Sequence, residues 1–176
     1  PEQQTKLLLT HQDDDHVGAA FELVQRYPQI QIAASRIERP YLTGEKKNLR
    51  LAQAEQLQEH LPEDQKAFGL QFCERLRAVR PVKMDLEVEG GDWFPWAGGC
   101  RVLATPGHTP GHISLYLEQE KVLITGDAAV AERGRLELAS PQFCLDLEQA
   151  EHSLERLRNT PCTRYICYHG GVLEKG

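Results

Sequence analysis

Six consecutive residues, His11-Gln12-Asp13-Asp14-Asp15-His16, hold two imidazoles and three carboxylates. Mixed imidazole and carboxylate donors suit Zn²⁺, Mn²⁺ or Fe²⁺. A loop can aim alternate side chains at one point, so His11 and Asp13 can serve one ion and Asp15 and His16 a neighbouring one. The competing reading is an acidic helix entry, since Asp is electrostatically favoured near a helix N-terminus.

Three further places carry the same kind of donor. Thr105-Pro106-Gly107-His108-Thr109-Pro110-Gly111-His112 is a Pro/Gly-rich stretch that forces a tight loop. His108 on it supplies a third imidazole for the first ion, whereas His112 opens the next strand and is read as structural or supporting. Thr125-Gly126-Asp127 ends an apolar strand in a carboxylate, whose two oxygens can bridge two metals. Tyr168-His169-Gly170-Gly171 places a last imidazole at a strand end. Taken singly, Asp127 and His169 are weak signals, since a lone strand-end Asp or His is more often a turn or capping residue. His60 and His152 lie in charged helical stretches and read as solvated.

The elements that must position these groups follow from periodicity. Lys6 to Thr10 is a short apolar run and reads as a buried strand; Val17, Ala20, Phe21 and Val24 recur at helical spacing, ending near Tyr27 before Pro28. Gln29 to Ala33 alternates as a second strand, giving the strand–loop–helix–strand order of an α/β layered domain. From Thr43 to Arg80 the pattern is helical: Leu49, Ala52, Leu57 and Leu61, then Phe68, Phe72, Leu76 and Val79, with a break at Pro62. This excursion is a candidate part of a substrate wall, with Tyr41, Arg50 and Phe68 as candidates, or an interaction surface or simple packing. Strand signals return at Asp85–Val88, Arg101–Ala104, His112–Leu117 and Lys121–Ile124. Asp146 should cap a helix through Leu147, Ala150, Leu154 and Leu157, and Arg164–Tyr168 reads as the last strand.

Composition narrows the class. The 176 residues, 40 % hydrophobic and 26 % charged, suit one globular domain over 1–176, with 43–80 as a helical insert. A formal charge of −6 offers no basic track for nucleic acid. No apolar stretch reaches the roughly 18 residues of a membrane helix, and no signal peptide is expected. The five cysteines include no CxxC, so free thiols in a reducing cytoplasm are expected rather than a zinc ribbon or redox pair.

In order along the chain, THQDDDHVG, TPGHTPGH, TGD and a terminal HGG resemble the metallo-β-lactamase superfamily of hydrolases, most of all its glyoxalase-II-like and lactonase-like group. The resemblance covers nearly the whole chain. It implies an α/β, four-layer αββα sandwich with metals at one edge of two sheets. It also implies that His11, Asp13 and His108 hold one metal, that Asp15, His16 and His169 hold the other, and that Asp127 and a hydroxide bridge them. The implied cofactors are two divalent ions, zinc first, with Mn²⁺ or Fe²⁺ as alternatives. The implied reaction is attack of the hydroxide on a small lactone or thioester, with Asp15 as the catalytic residue that orients it and shuttles a proton. Thr10, Thr109 and His112 are candidates for fixing the imidazoles.

This sequence departs from the family pattern at Asp13, where the usual motif has a second histidine. Aspartate there is shared with some phosphoesterases, which keeps a small-molecule phosphodiesterase as an alternative; a non-catalytic metal-binding or sensing module is another. A third carboxylate brings the ligands and hydroxide to −4 against +4 for two ions, and the expectation is a weaker Lewis acid with more tolerance for Mn²⁺ or Fe²⁺. The family also places several strands before the first cluster. Since the chain begins at Pro1, preceding residues are expected, or else a sheet with uncovered apolar faces. The expected partner is a small-molecule substrate, with no nucleic acid or membrane, and with a homodimer allowed.

Overall fold

Apolar Leu7, Leu8 and Leu9 form strand β1 (Lys6–Leu9), which runs parallel to β2 (Gln31–Ser35) in the register Lys6↔Gln31 to Leu9↔Ala34. The computed structural model describes residues 6–175. The chain forms two compact units. One comprises the residues up to Ala34 with Glu38–Glu87, the other Ser35–Ile37 with the residues from Val88 onward.

In the first unit β1 and β2 are joined through α1 (Asp14–Val17) and α2 (Ala20–Arg26). The single helix expected from Val17 to Tyr27 is therefore two, starting earlier and interrupted at Gly18-Ala19; glycine is a poor helix former. After β2 come α3 (Arg39–Leu42), α4 (Leu49–Gln58), α5 (Glu63–Arg77) and β3 (Leu86–Val88). The three strands make a sheet in the order β1-β2-β3. Its core gathers Leu9, Val17, Ala20, Ile32, Ala34, Leu42 and Val82.

The break at Pro62 is where it was expected, with Glu63 and Asp64 in the first turn of α5 and Arg75 and Arg77 in the last, each favourable to the helix dipole. The packing face agrees with the expected one at Phe72 and Leu76 and differs elsewhere. Leu51, Ala54, Phe72, Cys73 and Leu76 cluster, whereas Leu57 and Phe68 are exposed.

Asp85 extends the β2 ladder in two directions at once. Its N–H donates to the Ile32 carbonyl at 2.9 Å, and its carboxylate accepts the Ile32 N–H at 3.0 Å. The second bond holds the Asp85 carboxyl below its usual value of 3.8, with Lys83 assisting. A depressed carboxyl stabilises the fold above the unfolded value and stops doing so as pH falls through the folded one. In acid-unfolding titrations the advantage of the wild type over Asp85→Asn should therefore be full above pH 3.8 and vanish below it. An advantage constant down to the acid limit would refute this.

The second unit is built on a six-stranded sheet, β11-β10-β7-β6-β5-β4. Its strands are β4 (Trp93–Phe94), β5 (Cys100–Ala104), β6 (Ile113–Leu117), β7 (Val122–Gly126), β10 (Arg164–Cys167) and β11 (Gly171–Glu174). A hairpin of β8 (Val130–Glu132) and β9 (Arg135–Glu137) and helix α6 (Leu147–Asn159) complete it. Arg164–Tyr168 is not the last strand as expected. The chain turns at His169-Gly170 and returns antiparallel as β11. Asp146 caps α6 as expected, its carboxylate accepting the Gln149 N–H at 3.0 Å.

Strand direction explains what this sheet delivers. β5 and β7 both run antiparallel to β6, and β10 runs parallel to β7. The C-terminal ends of β5, β7 and β10 therefore share one edge, and the chain after them carries His108, Asp127 and His169 respectively.

All five cysteines are free thiols, and burial pushes those of Cys100 and Cys167 up. Among the described residues no helix is long and apolar enough to cross a membrane.

Candidate metal centre

In the first unit the loop after β1 gives its three aspartates three different surroundings. Asp13 is buried and precedes α1 in extended conformation, but its side chain does not cap the helix. Its Oδ2 instead accepts from Arg50 Nε at 3.0 Å and Nη2 at 2.8 Å. Asp14 Oδ2 meets Arg75 Nε at 2.8 Å. Asp15, in the opening turn of α1, keeps 41 % of its side chain exposed. The acidic-helix-entry reading thus fits Asp14 and Asp15 by position and fails for Asp13.

The two imidazoles of this loop face each other, with His11 and His16 ring centroids 4.1 Å apart. His11 is fully buried, and its Nδ1 lies 3.0 Å from Thr10 Oγ1, so Thr10 orients the ring as anticipated. His11 Nε2 stands 3.8 Å from Asp13 Oδ2, and His16 Nε2 stands 3.7 Å from Asp15 Oδ2. Gln12 points the other way. Its Nε2 donates to Glu38 at 3.0 Å and its Oε1 accepts the Leu49 N–H at 2.9 Å, which ties the loop to the start of α4.

In the second unit His108 and Asp127 are buried and His169 is half-exposed. Asp127 Oδ2 lies 3.6 Å from His108 Nε2 and 3.4 Å from His169 Nε2. His112 is buried behind them and has a definable tautomer. Its Nε2 accepts the Asp127 backbone N–H at 2.9 Å, so the proton sits on Nδ1 and donates to Thr105 Oγ1 at 2.9 Å. Thr105 then donates to Ser114 Oγ at 2.9 Å, and Ser114 donates to the Thr125 carbonyl at 2.9 Å. This closed chain pins the Asp127 main chain to β5, β6 and β7.

These spacings test whether the donors suit a metal. Bonds of about 2.1 Å in tetrahedral arrangement place neighbouring ligand atoms about 3.4 Å apart. The His16–Asp15, His108–Asp127 and His169–Asp127 pairs lie at 3.4–3.7 Å, beyond a hydrogen bond and near that edge length; the Asp13 oxygen nearest His11 is the one that Arg50 holds. The donor chemistry and the spacing both fit divalent ions.

The remaining candidates are distributed otherwise. Arg50 is not on a substrate wall; it is 3 % exposed and committed to Asp13. Phe68 is 74 % exposed. Tyr41 lines a cavity of about 210 Å³ together with Gln12, Asn48 and Leu76. His60 and His152 are exposed, as expected. The Asp13–Arg50 and Asp14–Arg75 pairs and the Gln12–Glu38 bond had no signal in the sequence, since their partners are separated by 26 residues or more.

Residues 1–169 match the metallo-beta-lactamase superfamily. The chain belongs to that superfamily. Among curated proteins it is 30 % identical over 175 residues to the probable metallo-hydrolase YflN of Bacillus subtilis, covering 93 % of this chain and 63 % of that one. It is 28 % identical over 163 residues to a hydroxyacylglutathione hydrolase of Synechococcus, covering 91 % and 47 %. The chain thus spans roughly half to three fifths of these relatives' lengths. Among solved structures, TTHA1623 in a di-iron-bound form matches with a TM-score of 0.65 at 25 % identity, over 97 % of this chain and 72 % of that one. A superfamily protein from Sulfolobus tokodaii matches with a TM-score of 0.68 at 24 % identity, over 98 % and 64 %, which shows the shared fold.

Within this superfamily member, His112 should matter without being a ligand. Replacing it by alanine leaves the Asp127 N–H and the Thr105 hydroxyl without their present partner. Supporting residues of this kind typically cost 10–100-fold in metal affinity or activity. The expected result for His112→Ala is a loss of about that size in metal affinity, read by titration of stripped protein. Affinity equal to wild type would refute the role.

Proposed function

We propose that His11, Asp13, Asp15, His16, His108, Asp127 and His169 serve as one ligand set for two divalent ions, and that the protein hydrolyses a small ester-type substrate, a lactone or thioester. The observation that carries this reading is the recurrence of imidazole–carboxylate pairs at 3.4–3.7 Å on the loops after β1, β5, β7 and β10. The thioester choice draws on the hydroxyacylglutathione hydrolases among the relatives, and the di-iron form of TTHA1623 makes iron a candidate beside zinc and manganese. The chemistry such ions supply when bound is a water acidified from a pKa of ~16 toward ~7 and polarisation of the bond to be cut.

The chain's own residues divide the remaining work. His11, Asp13 and His108 would hold one ion and Asp15, His16 and His169 the other, with Asp127 shared between them. His112 and Thr105 hold Asp127 in place through its backbone. Asp15 is the carboxylate with most access to solvent and is assigned to carry a proton to the leaving group. Free thiols throughout suit a reducing, cytoplasmic setting.

The test is turnover of a lactone, an acyl thioester and an aryl phosphodiester by metal-replete protein, with metal content measured in parallel. The proposal expects two ions per chain and faster hydrolysis of the lactone or thioester. Preference for the phosphodiester would instead favour the reading that Asp13, shared with phosphoesterases, points to. Full metal loading without hydrolysis of any of the three would favour a binding or sensing module.

A further inference from the structure

A buried guanidinium beside a candidate cation site requires an explanation, because arginine stays charged and repels a divalent ion. Arg50 is such a group. Its side chain is 4 % exposed, and both Nε and Nη2 donate to the same oxygen, Oδ2, of Asp13. Nη1 donates to Gln53 one turn further along α4.

The position of Arg50 is fixed at several points. It lies in the first turn of α4, whose N-cap Asn48 accepts the Leu51 N–H at 3.0 Å. The Asn48 amide also donates to the Gln12 carbonyl at 2.9 Å, and the Gln12 side chain accepts the Leu49 N–H. The helix start is thereby fastened to the residue between His11 and Asp13. Little freedom remains for the guanidinium to swing away.

We infer that Arg50 is a positioning and charge-balancing residue that makes Asp13 the electrostatic equivalent of a neutral imidazole; the inference rests on the ligand set proposed above. Asp13 alone takes one unit of positive charge from the loaded site, and Arg50 returns it. Oδ2 carries the guanidinium, and Oδ1 is the oxygen assigned to the ion. The weaker Lewis acidity expected from the sequence therefore does not follow, because it counted the carboxylate and not its partner. The tolerance for harder metals remains, since the donor atom is still oxygen.

The experiment compares Arg50→Met, Asp13→His and the double variant with wild type. It reads metal affinity by titration of chelator-stripped protein, the zinc-to-manganese preference, and melting temperature with and without metal. Stripped Arg50→Met should melt below wild type and gain more from added metal, because the ions become the only compensation for Asp13. Asp13→His should lose about 10–100-fold in affinity, its imidazole standing beside an uncompensated guanidinium. The double variant should regain at least tenfold of that loss and shift its preference toward zinc. If Arg50→Met fails to fold, the comparison of Asp13→His with the double variant still decides, since the double variant contains neither buried charge. A double variant no better than Asp13→His overturns the inference. Wild type that loads two ions while the variants behave additively overturns it alone; wild type that takes up no metal overturns it together with the ligand set.

Discussion

Asp127→Asn should reduce turnover by at least ~10³-fold and lower the metal content below that of wild type, with the fold intact. Asp127 is the carboxylate placed 3.6 Å from His108 and 3.4 Å from His169. An amide of the same shape preserves the backbone bond to His112 but offers one oxygen instead of two, and no charge. Ions at such a site contribute several kcal/mol to the barrier, and each 1.36 kcal/mol is tenfold in rate, so losing their common anchor costs about three decades. Circular dichroism and melting of the stripped variant should match wild type or exceed it, because a buried charge is gone. Turnover within tenfold of wild type would remove Asp127 from the centre of the mechanism.

Gly107→Ala should be the most damaging substitution for the fold, costing at least ~3 kcal/mol. Gly107 has φ +127, a conformation in which an L side chain is strained. A Cβ there would also land on the backbone nitrogen and Cα of Ala150 in α6. The contact is close for a structural reason. The Gly107 carbonyl accepts the Asp146 N–H at 2.9 Å, the His108 carbonyl accepts the Leu145 N–H at 3.2 Å, and Ser153 donates to the Pro106 carbonyl at 2.6 Å. Neither backbone can retreat without breaking these bonds. A domain of this size should melt roughly 6–12 °C lower. Because His108 is the next residue, metal affinity should fall in the same variant. A melting point within 2 °C of wild type would refute the argument.

Much of this was legible in the sequence, and the limits are physical. The donor-bearing loops were readable where punctuating residues accompany the donors: Pro106, Gly107, Pro110 and Gly111 force a turn wherever they occur, and a strand that ends in Gly126-Asp127 presents its carboxylate. The Asp146 cap is a local bond over three residues and was readable for the same reason. The packing face of α5 was legible at Phe72 and Leu76, and that of α4 was not. Phe68 and Leu57 are apolar at helical spacing, yet the face is chosen by what lies opposite, and here Cys73 and Ala54 were selected. The return strand β11 carries little signal because it is short and opens within the glycine pair Gly170-Gly171, which also reads as an end. The role of Arg50 is not legible, because the sequence shows a cation on a helix and not the carboxylate 37 residues earlier that neutralises it.

That neutralisation alters what the segment from 43 to 80 is. Two of the three adjacent aspartates are balanced from it, Asp13 by Arg50 on α4 and Asp14 by Arg75 on α5. An excursion that merely walled a substrate could be trimmed or exchanged while the loop kept its electrostatics. Here the helical pair works as the counter-charge of the loop, so loop and pair form one inheritable cassette. Grafting THQDDDHVG onto another scaffold would need Arg50 above all to travel with it, since recombination that separated the two would leave the buried Asp13 without its counter-charge; Arg75 is largely exposed and its loss would matter less.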